Sequence, residues 1–453
     1  MSNVRLAFSS FFFSDRKGLA SKSNYHLLAA QSYSKNPCGR SMVDLALSLG
    51  LRARASHIVE TALLHPLGLA EKIKLALLYG RVDEVRAMHD EIILHCRALG
   101  RKRMNSINEI AQLVAPISAE IVQELGKEFG PNILASVALL ANWNPKSAIA
   151  CLQQSKMVPT DGFLILANLS TDATEKQFLF ARYLERFHLS EMQMSPKAIS
   201  GAIVSRKNIS PSRISVVVTA FNCGSYIADT VSSLINQTLP PLEIIVVDDA
   251  SSDNTLEIIN AMALRHPTVR VISLQSNVGT YAAKNIGINA AVGDFVTFQD
   301  ADDWSHPQRL EYCCRVLTDK KNLVAVSCLY ARIDENGRFV SRKVWPYTQW
   351  SPNTIFFNRK AVAHAGMLLD EVRFGADSEF VARLKVVFGE NRHLKIRAPL
   401  MIALHRKNSL MTSDATGLDR DGISLARLEY QEMWSERLYE RARNELLQNL
   451  QSR

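Results

Sequence analysis

Cysteine is scarce in this sequence and follows no pattern that would give it a structural role. The chain has 7 cysteines in 453 residues, with an adjacent pair at Cys313 and Cys314 and no Cys-x-x-Cys spacing. A disulfide framework and a zinc site of paired cysteines are therefore excluded. This usage agrees with a reducing compartment.

Long apolar runs are also absent. A membrane-spanning helix needs about 20 consecutive apolar residues, and no stretch of this chain reaches that length. The segment from Val4 to Phe13 is too short and too weakly flanked for a signal peptide. We therefore expect a cytoplasmic protein.

Clustered basic residues with stacking aromatics, which many nucleic-acid-binding proteins use, are missing as well. The net charge is +9, but the basic residues are dispersed along the chain. We expect no nucleic-acid partner. The same charge permits contact with anionic lipid headgroups, so a peripheral position at the inner face of the membrane stays open.

The length and a change in periodicity predict two folded parts. At 453 residues the chain exceeds the size at which a single core usually stops growing. Residues 1–193 show helical periodicity, and the predicted helical stretches are 69–79, 82–99, 107–129, 133–152 and 172–187. These resemble the helix pairs of an α-solenoid, but without a strict repeat an irregular helical domain is favoured. A protein partner that binds this helical domain is an open alternative.

The boundaries of the second part follow from composition. Residues 194–212 are rich in Ser, Lys and Pro and predict a linker. Residues 213–423 then alternate apolar, β-branched runs with amphipathic stretches, and residues 424–453 predict a final amphipathic helix. The alternation predicts an α/β fold with a mostly parallel sheet flanked by helices. Ligands of such sheets bind at the carboxyl ends of the strands.

Two acidic clusters end predicted strands and should share one cleft. One is Asp248 with Asp249, and the other is Asp300, Asp302 and Asp303. Carboxylates this close repel one another unless a cation compensates them, and hard divalent ions take oxygen ligands. The Asp-x-Asp spacing places Asp300 and Asp302 on the same side of an extended segment. A solvated acidic turn is the commoner structure for such a motif alone, so its surroundings decide.

Those surroundings contain several ordered motifs, namely VVTAFN at 217–222, VVDDASSD at 246–253, NVG at 277–279 with KNIG at 284–287, and QDADDW at 299–304 with HP at 306–307 and RL at 309–310. Together they resemble the nucleotide-sugar-binding half of family-2 glycosyltransferases, and the resemblance covers about residues 212–413. It implies the GT-A fold, a nucleotide-sugar donor, and inverting transfer to a glycan or lipid-linked acceptor.

The resemblance also implies roles for individual residues on the donor side. Thr219 and Asp249 would hold the base and ribose, while Asp300 and Asp302 would face the sugar nucleotide and its metal ion, Mn²⁺ or Mg²⁺. Lys284 stands where the family usually has arginine. Lysine keeps the positive charge near the donor but lacks the bidentate geometry of arginine.

On the acceptor side, the segment RFGADSEF at 373–380 resembles the one that holds the catalytic carboxylate. It has Ala376-Asp377 where the family commonly has Glu-Asp, and Asp377 is the implied general base that takes the acceptor proton. Glu379 is the alternative base if the alignment is shifted. In the HRKNSL segment at 405–410, Arg406 is implied near the diphosphate, and His405 is either a metal ligand or part of a solvated turn.

These features favour a metal-dependent, inverting glycosyltransferase of the hexosyltransferase type that acts in bacterial cell-surface polysaccharide synthesis. The alternative is a catalytically silent domain that serves as a scaffold while the helical part binds a partner. A nucleotidyltransferase on a similar sheet is less well supported, because a Gly-rich phosphate loop after the first strand is missing.

Overall fold

A computed structural model of the chain describes residues 69–130, 134–153, 158–194, 199–201, 213–341, 344–406, 409 and 424–451. The segment from Val4 to Phe13 and most of the predicted linker lie outside these residues. By its contacts the chain divides into two compact units. A helical unit contains residues up to Leu169, the segment Ser341–Tyr347 and the C-terminal helix. A sheet unit comprises Ser170–Val340 and Thr348–Arg406.

Within the described residues the α-helices are, in chain order, α1 (Leu69–Leu78), α2 (Val82–Ala87), α3 (His89–Leu99), α4 (Met104–Val114), α5 (Ala119–Phe129), α6 (Leu134–Trp143), α7 (Pro145–Gln153), α8 (Thr160–Leu169), α9 (Ala173–Glu185), α10 (Ile227–Ile235), α11 (Thr255–Arg265), α12 (Thr280–Ala290), α13 (Arg309–Asp319), α14 (Arg359–His364), α15 (Ala376–Phe388) and α16 (Leu425–Gln451). None of these helices is both long and apolar enough to cross a membrane.

The strands are β1 (Met192–Met194), β2 (Ile199–Gly201), β3 (Ile214–Ala220), β4 (Glu243–Asp248), β5 (Val269–Ser273), β6 (Phe295–Asp300), β7 (Trp304–Ser305), β8 (Ala325–Asp334), β9 (Gln349–Trp350), β10 (Phe356–Asn358) and β11 (His393–His405). β1 and β2 pair with each other, and the other strands form one sheet in the order β5-β4-β3-β6-β10-β8-β11-β7, with β9 on β8. The predicted strands and crossover helices of residues 214–300 are thus confirmed.

The sheet as a whole is mixed, but its long pairings are parallel, so the expectation of a mostly parallel sheet flanked by helices is confirmed. β5, β4, β3 and β6 pair in parallel, but the short strand β10 enters antiparallel to both β6 and β8. Its neighbour β8 then pairs in parallel with β11. Crossover helices separate β3, β4, β5 and β6, as the alternating pattern predicts. Between β8 and β10 the described residues contain no α-helix.

The helical unit is built from shorter helices than the periodicity predicts. The stretch 82–99 divides at Met88 into α2 and α3, and the stretch 107–129 divides into α4 and α5. Pro116 follows α4 and cannot continue a helix. Ser118 then caps α5 by accepting a hydrogen bond from the Ile121 amide at 3.4 Å. The buried core of these helices includes Ile73, Ile92, Ile110, Ile121, Leu125, Leu428 and Tyr439.

The contacts place the boundary between the two parts before α9, whereas the sequence places it at residues 194–212. The Phe180 ring of α9 lies 5.2 Å from that of Phe339, and the Tyr183 hydroxyl lies 2.7 Å from the Thr348 hydroxyl. All of these residues belong to the sheet unit. Helical periodicity alone assigned α9 to the helical part, although its apolar side chains complete the core of the sheet unit.

Candidate active site

The carboxyl ends of β3, β4 and β6 bring three predicted site segments together. In the pairing register Thr219 lies opposite Asp300 on one side, and Ala220 lies opposite Asp248 on the other. β3 and β4 are buried along their length, and their polar residues lie at the strand ends. The two acidic clusters therefore share one edge of the sheet, as the sequence predicts.

α12, which follows the NVG motif, packs closely on this edge. A Cβ added to Gly287 would lie 2.3 Å from a Val217 methyl carbon, so only glycine allows this approach of helix and strand. At the start of the helix the hydroxyls of Thr219 and Thr280 are 2.9 Å apart. This packing fixes the direction in which the first turns of α12 project their side chains.

Asp249 anchors the loop before α12. Its two carboxylate oxygens accept hydrogen bonds from the backbone amides of Val278, at 2.7 Å, and Gly279, at 2.9 Å. Gly279 has φ +92°, a backbone conformation that favours glycine. The neighbouring Asp248 is also buried, and its Oδ1 has no hydrogen-bond partner among the described residues. Asp249 thus builds the loop, while Asp248 has an unsatisfied oxygen.

Lys284 lies beneath Asp300 and is almost completely buried. Its Nζ donates to Asp300 Oδ1 at 3.2 Å and to Asn353 Oδ1 at 2.6 Å, while Asn353 Nδ2 donates to Asp300 Oδ2 at 2.8 Å. Asp300 therefore receives one hydrogen bond on each oxygen. An arginine supplies such a pair alone, whereas here Lys284 and Asn353 share it.

Asn353 is a site residue that the sequence analysis missed. It lies on the 3₁₀ turn Pro352–Thr354, between β9 and β10, and its side chain is buried. No motif marks it. The available signal was a polar residue next to Pro352 and just before an apolar strand, a pattern that many ordinary turns share.

Asp302 has a different partner from Asp300. Its Oδ2 accepts a hydrogen bond from Arg406 Nε at 2.6 Å, and the Arg406 guanidinium lies 5.6 Å from the centre of the Tyr226 ring. Burial raises the pKa of the Asp302 carboxyl; Arg406 opposes this shift and the charge of Asp300 adds to it. Asp300 and Asp302 are thus close enough to repel each other, and Arg406 compensates part of that charge.

Asp303, the third carboxylate of the cluster, faces the protein interior. Its Oδ1 accepts a hydrogen bond from the Leu404 amide of β11 at 2.9 Å. Burial raises the pKa of the Asp303 carboxyl well above its usual range, and the charges of Asp302 and Asp300 raise it further. Asp303 therefore fastens the acidic turn to β11.

Arg309 contacts the strand that leads into the same turn. It is fully buried and donates from Nη1 to Gln299 Oε1 at 2.6 Å and from Nη2 to the Phe298 carbonyl at 2.7 Å. A guanidinium with several donors in a fixed plane suits this role. Arg309 thus anchors the end of β6, from which the turn with Asp300 and Asp302 begins.

The predicted metal ligands are brought together only in part. In the described part of the chain, no three His, Cys, Asp or Glu side chains are grouped as metal ligands. His405 is the last residue of β11, lies opposite Asp334 in the register, and is exposed. Asp300 and Asp302 nevertheless offer hard carboxylate oxygens that repel each other, which is the donor set that Mg²⁺ or Mn²⁺ prefers. These two residues fit a divalent cation.

Asp377 lies in the first turn of α15, where the helix dipole favours a carboxylate. Its Oδ1 accepts hydrogen bonds from the Tyr281 hydroxyl at 3.2 Å and from the Ser378 amide at 2.9 Å. Tyr281 is on α12, one turn before Lys284. The candidate base and the donor-side carboxylate Asp300 therefore both contact side chains of the same helix.

Glu379, the alternative base, is engaged elsewhere. Its side chain is fully buried, and both of its oxygens accept hydrogen bonds from Arg383, at 2.9 and 3.0 Å. A buried carboxylate in a bidentate ion pair is a poor proton acceptor, so this pairing disfavours Glu379 as a base.

Comparison with known proteins finds similarity to glycosyltransferases. Residues 215–370 match the family model described as Glycosyl transferase family 2. A chondroitin synthase of Pasteurella multocida (strain Pm70) is 33% identical over 134 residues, which are 29% of this chain and 14% of that protein. The glycosyltransferase GlyG of Streptococcus pneumoniae serotype 4 is 35% identical over 126 residues, 28% of this chain and 42% of GlyG.

A solved structure with partial similarity is that of S. aureus TarS 1-349 in complex with UDP-GlcNAc. It is 22% identical, and the match covers 44% of this chain and 60% of that chain with a TM-score of 0.37. The chain thus spans only 14% and 42% of the two curated relatives above.

Proposed function

Because the chain carries a family-2 glycosyltransferase domain at residues 215–370, we propose that it transfers a sugar from a nucleotide-sugar donor to a hydroxyl group of a glycan or lipid-linked acceptor. The observation that carries this proposal is that Asp300 and Asp377 each contact a side chain of α12, Asp300 through Lys284 and Asp377 through Tyr281. One helix thus positions a charged donor side and a candidate base.

The donor would bind at the ends of β3 and β4. Thr219 lies at this edge, and the Asp248 oxygen without a partner is costly to bury unless a ligand donates to it. A ribose hydroxyl of the bound nucleotide could donate this hydrogen bond to Asp248. Asp249 would act on the nucleotide through the 277–279 loop that it holds, since both of its oxygens already accept backbone amides.

Two cations flank the place where the diphosphate would lie. Lys284 is fixed by Asp300 and Asn353, whereas Arg406 pairs with Asp302 on the more exposed side of the site. A diphosphate brings negative charge that competes with Asp302 for Arg406. Donor binding would therefore move Arg406 from the carboxylate to the phosphates.

Once Arg406 leaves, Asp302 has an uncompensated charge next to Asp300. We propose that these two carboxylates then hold Mn²⁺ or Mg²⁺, with His405 at the exposed end of β11 as a further candidate ligand. A bound ion of this kind neutralises the charge that develops on the departing diphosphate.

Asp377 would supply the base. Inverting displacement needs a carboxylate that takes the proton of the acceptor hydroxyl while this oxygen attacks the anomeric carbon. Asp377 is half-buried at a helix start, which leaves it open to an acceptor, whereas Glu379 is not. The similarity to a chondroitin synthase supports a growing glycan as the acceptor, and we propose that this glycan belongs to a bacterial cell-surface pathway.

The test is a screen of the full chain for hydrolysis and for thermal stabilisation across UDP-, GDP- and dTDP-sugars, with Mn²⁺, Mg²⁺ or a chelator. We expect at least one donor to raise the melting temperature and to be hydrolysed in the presence of metal. Hydrolysis makes the assay independent of the acceptor. Binding without turnover of any donor would support the silent-scaffold alternative. The absence of both binding and turnover would refute the proposed function.

A further inference from the structure

Resting on the proposed function, we infer that Tyr281 is a positioning residue for catalysis, which orients the Asp377 carboxylate through its hydroxyl group. Tyr281 is 7% exposed and lies in the first turn of α12. Its hydroxyl is within hydrogen-bond distance of Asp377 Oδ1, at 3.2 Å, and of the Gly375 backbone nitrogen, at 3.0 Å.

The direction of these two hydrogen bonds follows from the groups involved. A backbone N–H can only donate, so the Tyr281 oxygen accepts from Gly375. The single phenolic proton is then left for the carboxylate, and Tyr281 donates to Asp377. The hydroxyl is therefore held on both sides, and its proton points at the carboxylate of the candidate base.

The same geometry distinguishes the two oxygens of Asp377. Both hydrogen bonds that the described residues make to this carboxylate, from Tyr281 and from the Ser378 amide, fall on Oδ1. Oδ2 is left to receive a proton. A carboxylate held through one oxygen has a fixed plane, so Tyr281 determines where Oδ2 stands relative to an acceptor hydroxyl.

The ring of Tyr281 belongs to the donor side of the site. The Lys284 ammonium lies 5.5 Å from the ring centre, a cation–π distance, while it pairs with Asp300. Ring and hydroxyl thus have separate partners. Removing only the hydroxyl leaves the contact with Lys284 in place and removes the hydrogen bonds with Asp377 and Gly375.

This separation makes Tyr281→Phe an informative variant of the full chain. Phenylalanine keeps the buried ring and its contact with Lys284, so donor affinity should stay unchanged. A hydrogen bond to a charged group contributes about 1.5–3 kcal/mol, so we expect kcat for donor hydrolysis to fall roughly ten- to a hundredfold. The donor is whichever sugar nucleotide of the UDP, GDP and dTDP panel the wild type hydrolyses.

Tyr183→Phe is the matched control. Tyr183 is fully buried, and its hydroxyl forms a 2.7 Å hydrogen bond with the hydroxyl of Thr348 in the same sheet unit. Deleting this hydroxyl tests the general effect of losing a buried tyrosine hydrogen bond. We expect a comparable change in melting temperature for the two variants, and a loss of kcat for Tyr281→Phe only.

A second arm shows whether Tyr281 acts through Asp377. Asp377→Glu retains a carboxylate, and with it some turnover, but its extra methylene displaces the oxygens from the tyrosine hydroxyl. Adding Tyr281→Phe to Asp377→Glu should therefore cause less than a twofold further loss. An equal loss in both backgrounds would assign Tyr281 a role independent of Asp377.

The outcomes separate this inference from the proposed function. If the wild type hydrolyses a donor and Tyr281→Phe does so at the same kcat, the inference is wrong and the function stands. If Tyr281→Phe weakens donor binding as much as it lowers turnover, the hydroxyl serves the donor and the inference is also wrong. If the wild type hydrolyses no donor of the panel, the proposed function fails and the inference with it.

Discussion

Lys284 and Asp300 form an ion pair with a Nζ–Oδ1 distance of 3.2 Å, in which the lysine side chain is 3% exposed and the aspartate side chain 42% exposed. The buried ammonium of Lys284 therefore relies on protein partners to compensate its charge, whereas the Asp300 carboxylate is also solvated by water. Asp300 can exchange a protein contact for water or a ligand, while Lys284 has Asn353 as a second, buried partner. This asymmetry suits a carboxylate that must rearrange when a substrate binds.

Asp300→Asn should destabilise the protein more than the double variant Asp300→Asn/Lys284→Met. The single change leaves a buried ammonium without its anion, whereas the double change removes that charge as well. We expect a coupling energy of about 0.5–3 kcal/mol between the two sites in urea unfolding. Asp294→Asn is the control, because the Asp294 pair with Arg213 is about half exposed on both sides and should contribute roughly 0–1 kcal/mol. Additive effects at 284 and 300 would contradict the prediction.

Asp302→Ala should abolish the effect of metal on nucleoside diphosphate binding. With Mn²⁺ the wild type should bind UDP more tightly than with a chelator, while the variant should show equal affinity in both conditions. In chelator the variant should bind at least as tightly as the wild type, because the Asp302 carboxylate no longer competes with the phosphates for Arg406. Calorimetry measures all four affinities. A metal effect of wild-type size in Asp302→Ala would exclude Asp302 as a ligand.

Asp377→Asn should abolish transfer and leave donor affinity nearly unchanged. Asparagine can still accept from Tyr281 and from the Ser378 amide through its Oδ1, but it cannot take the acceptor proton. General-base catalysis contributes about a hundred- to ten-thousandfold, so turnover should fall in that range. Asp319→Asn, which changes an exposed carboxylate at the end of α13, is the control. Half-maximal activity in Asp377→Asn would contradict the assigned role.

Asp303→Asn should reduce the loss of folding stability that accompanies a rise in pH. The folded-state pKa of Asp303 is raised, while the unfolded-state pKa is about 3.9. Its contribution to stability is therefore complete below about pH 4 and is lost as pH rises through the folded-state pKa. Asparagine does not ionise and keeps an oxygen for the Leu404 amide. The urea midpoint of the variant relative to wild type, measured with chelator at several pH values, should rise from pH 5 to pH 8; a constant difference would refute this.

A fragment of residues 170–406 should fold and bind a nucleoside diphosphate, whereas a fragment of residues 213–406 should not. The shorter fragment lacks α9, whose Phe180 covers Phe339, a side chain that is 2% exposed in the full chain. Loss of such a contact costs about 3–5 kcal/mol. Circular dichroism melting and UDP calorimetry on both fragments test the prediction. Equal behaviour of the two fragments would place the functional boundary after α9, as the sequence analysis did.

The sequence was sufficient to predict the strands that end in Asp248 and Asp300, because short apolar runs between amphipathic stretches have a strong local signal. It could not predict the partners of these residues. Asn353 is 53 residues from Asp300, and Arg406 is 104 residues from Asp302. Such pairs depend on the strand order, in particular on β10 and β11, and no local propensity encodes that order.

The same reason explains the differences in the helical region and at the unit boundary. Helical periodicity predicted that α9 is helical, but a helix carries no local mark of the core that it covers. The role of Tyr281 was missed for a related reason. It lies in a stretch known for its glycine and lysine positions, and only the fold brings Asp377 next to it.

The segment Ser341–Tyr347 has a consequence for how the chain is made. It lies between β8 and β9 in the sequence, yet it belongs to the helical unit, where Val344 and Trp345 pack against the helices; Leu428 and Tyr439 of α16 complete the same core. On a ribosome the first helices emerge early but must wait for these later residues. The residues of the sheet unit end at Arg406, so the part whose synthesis begins second is completed first.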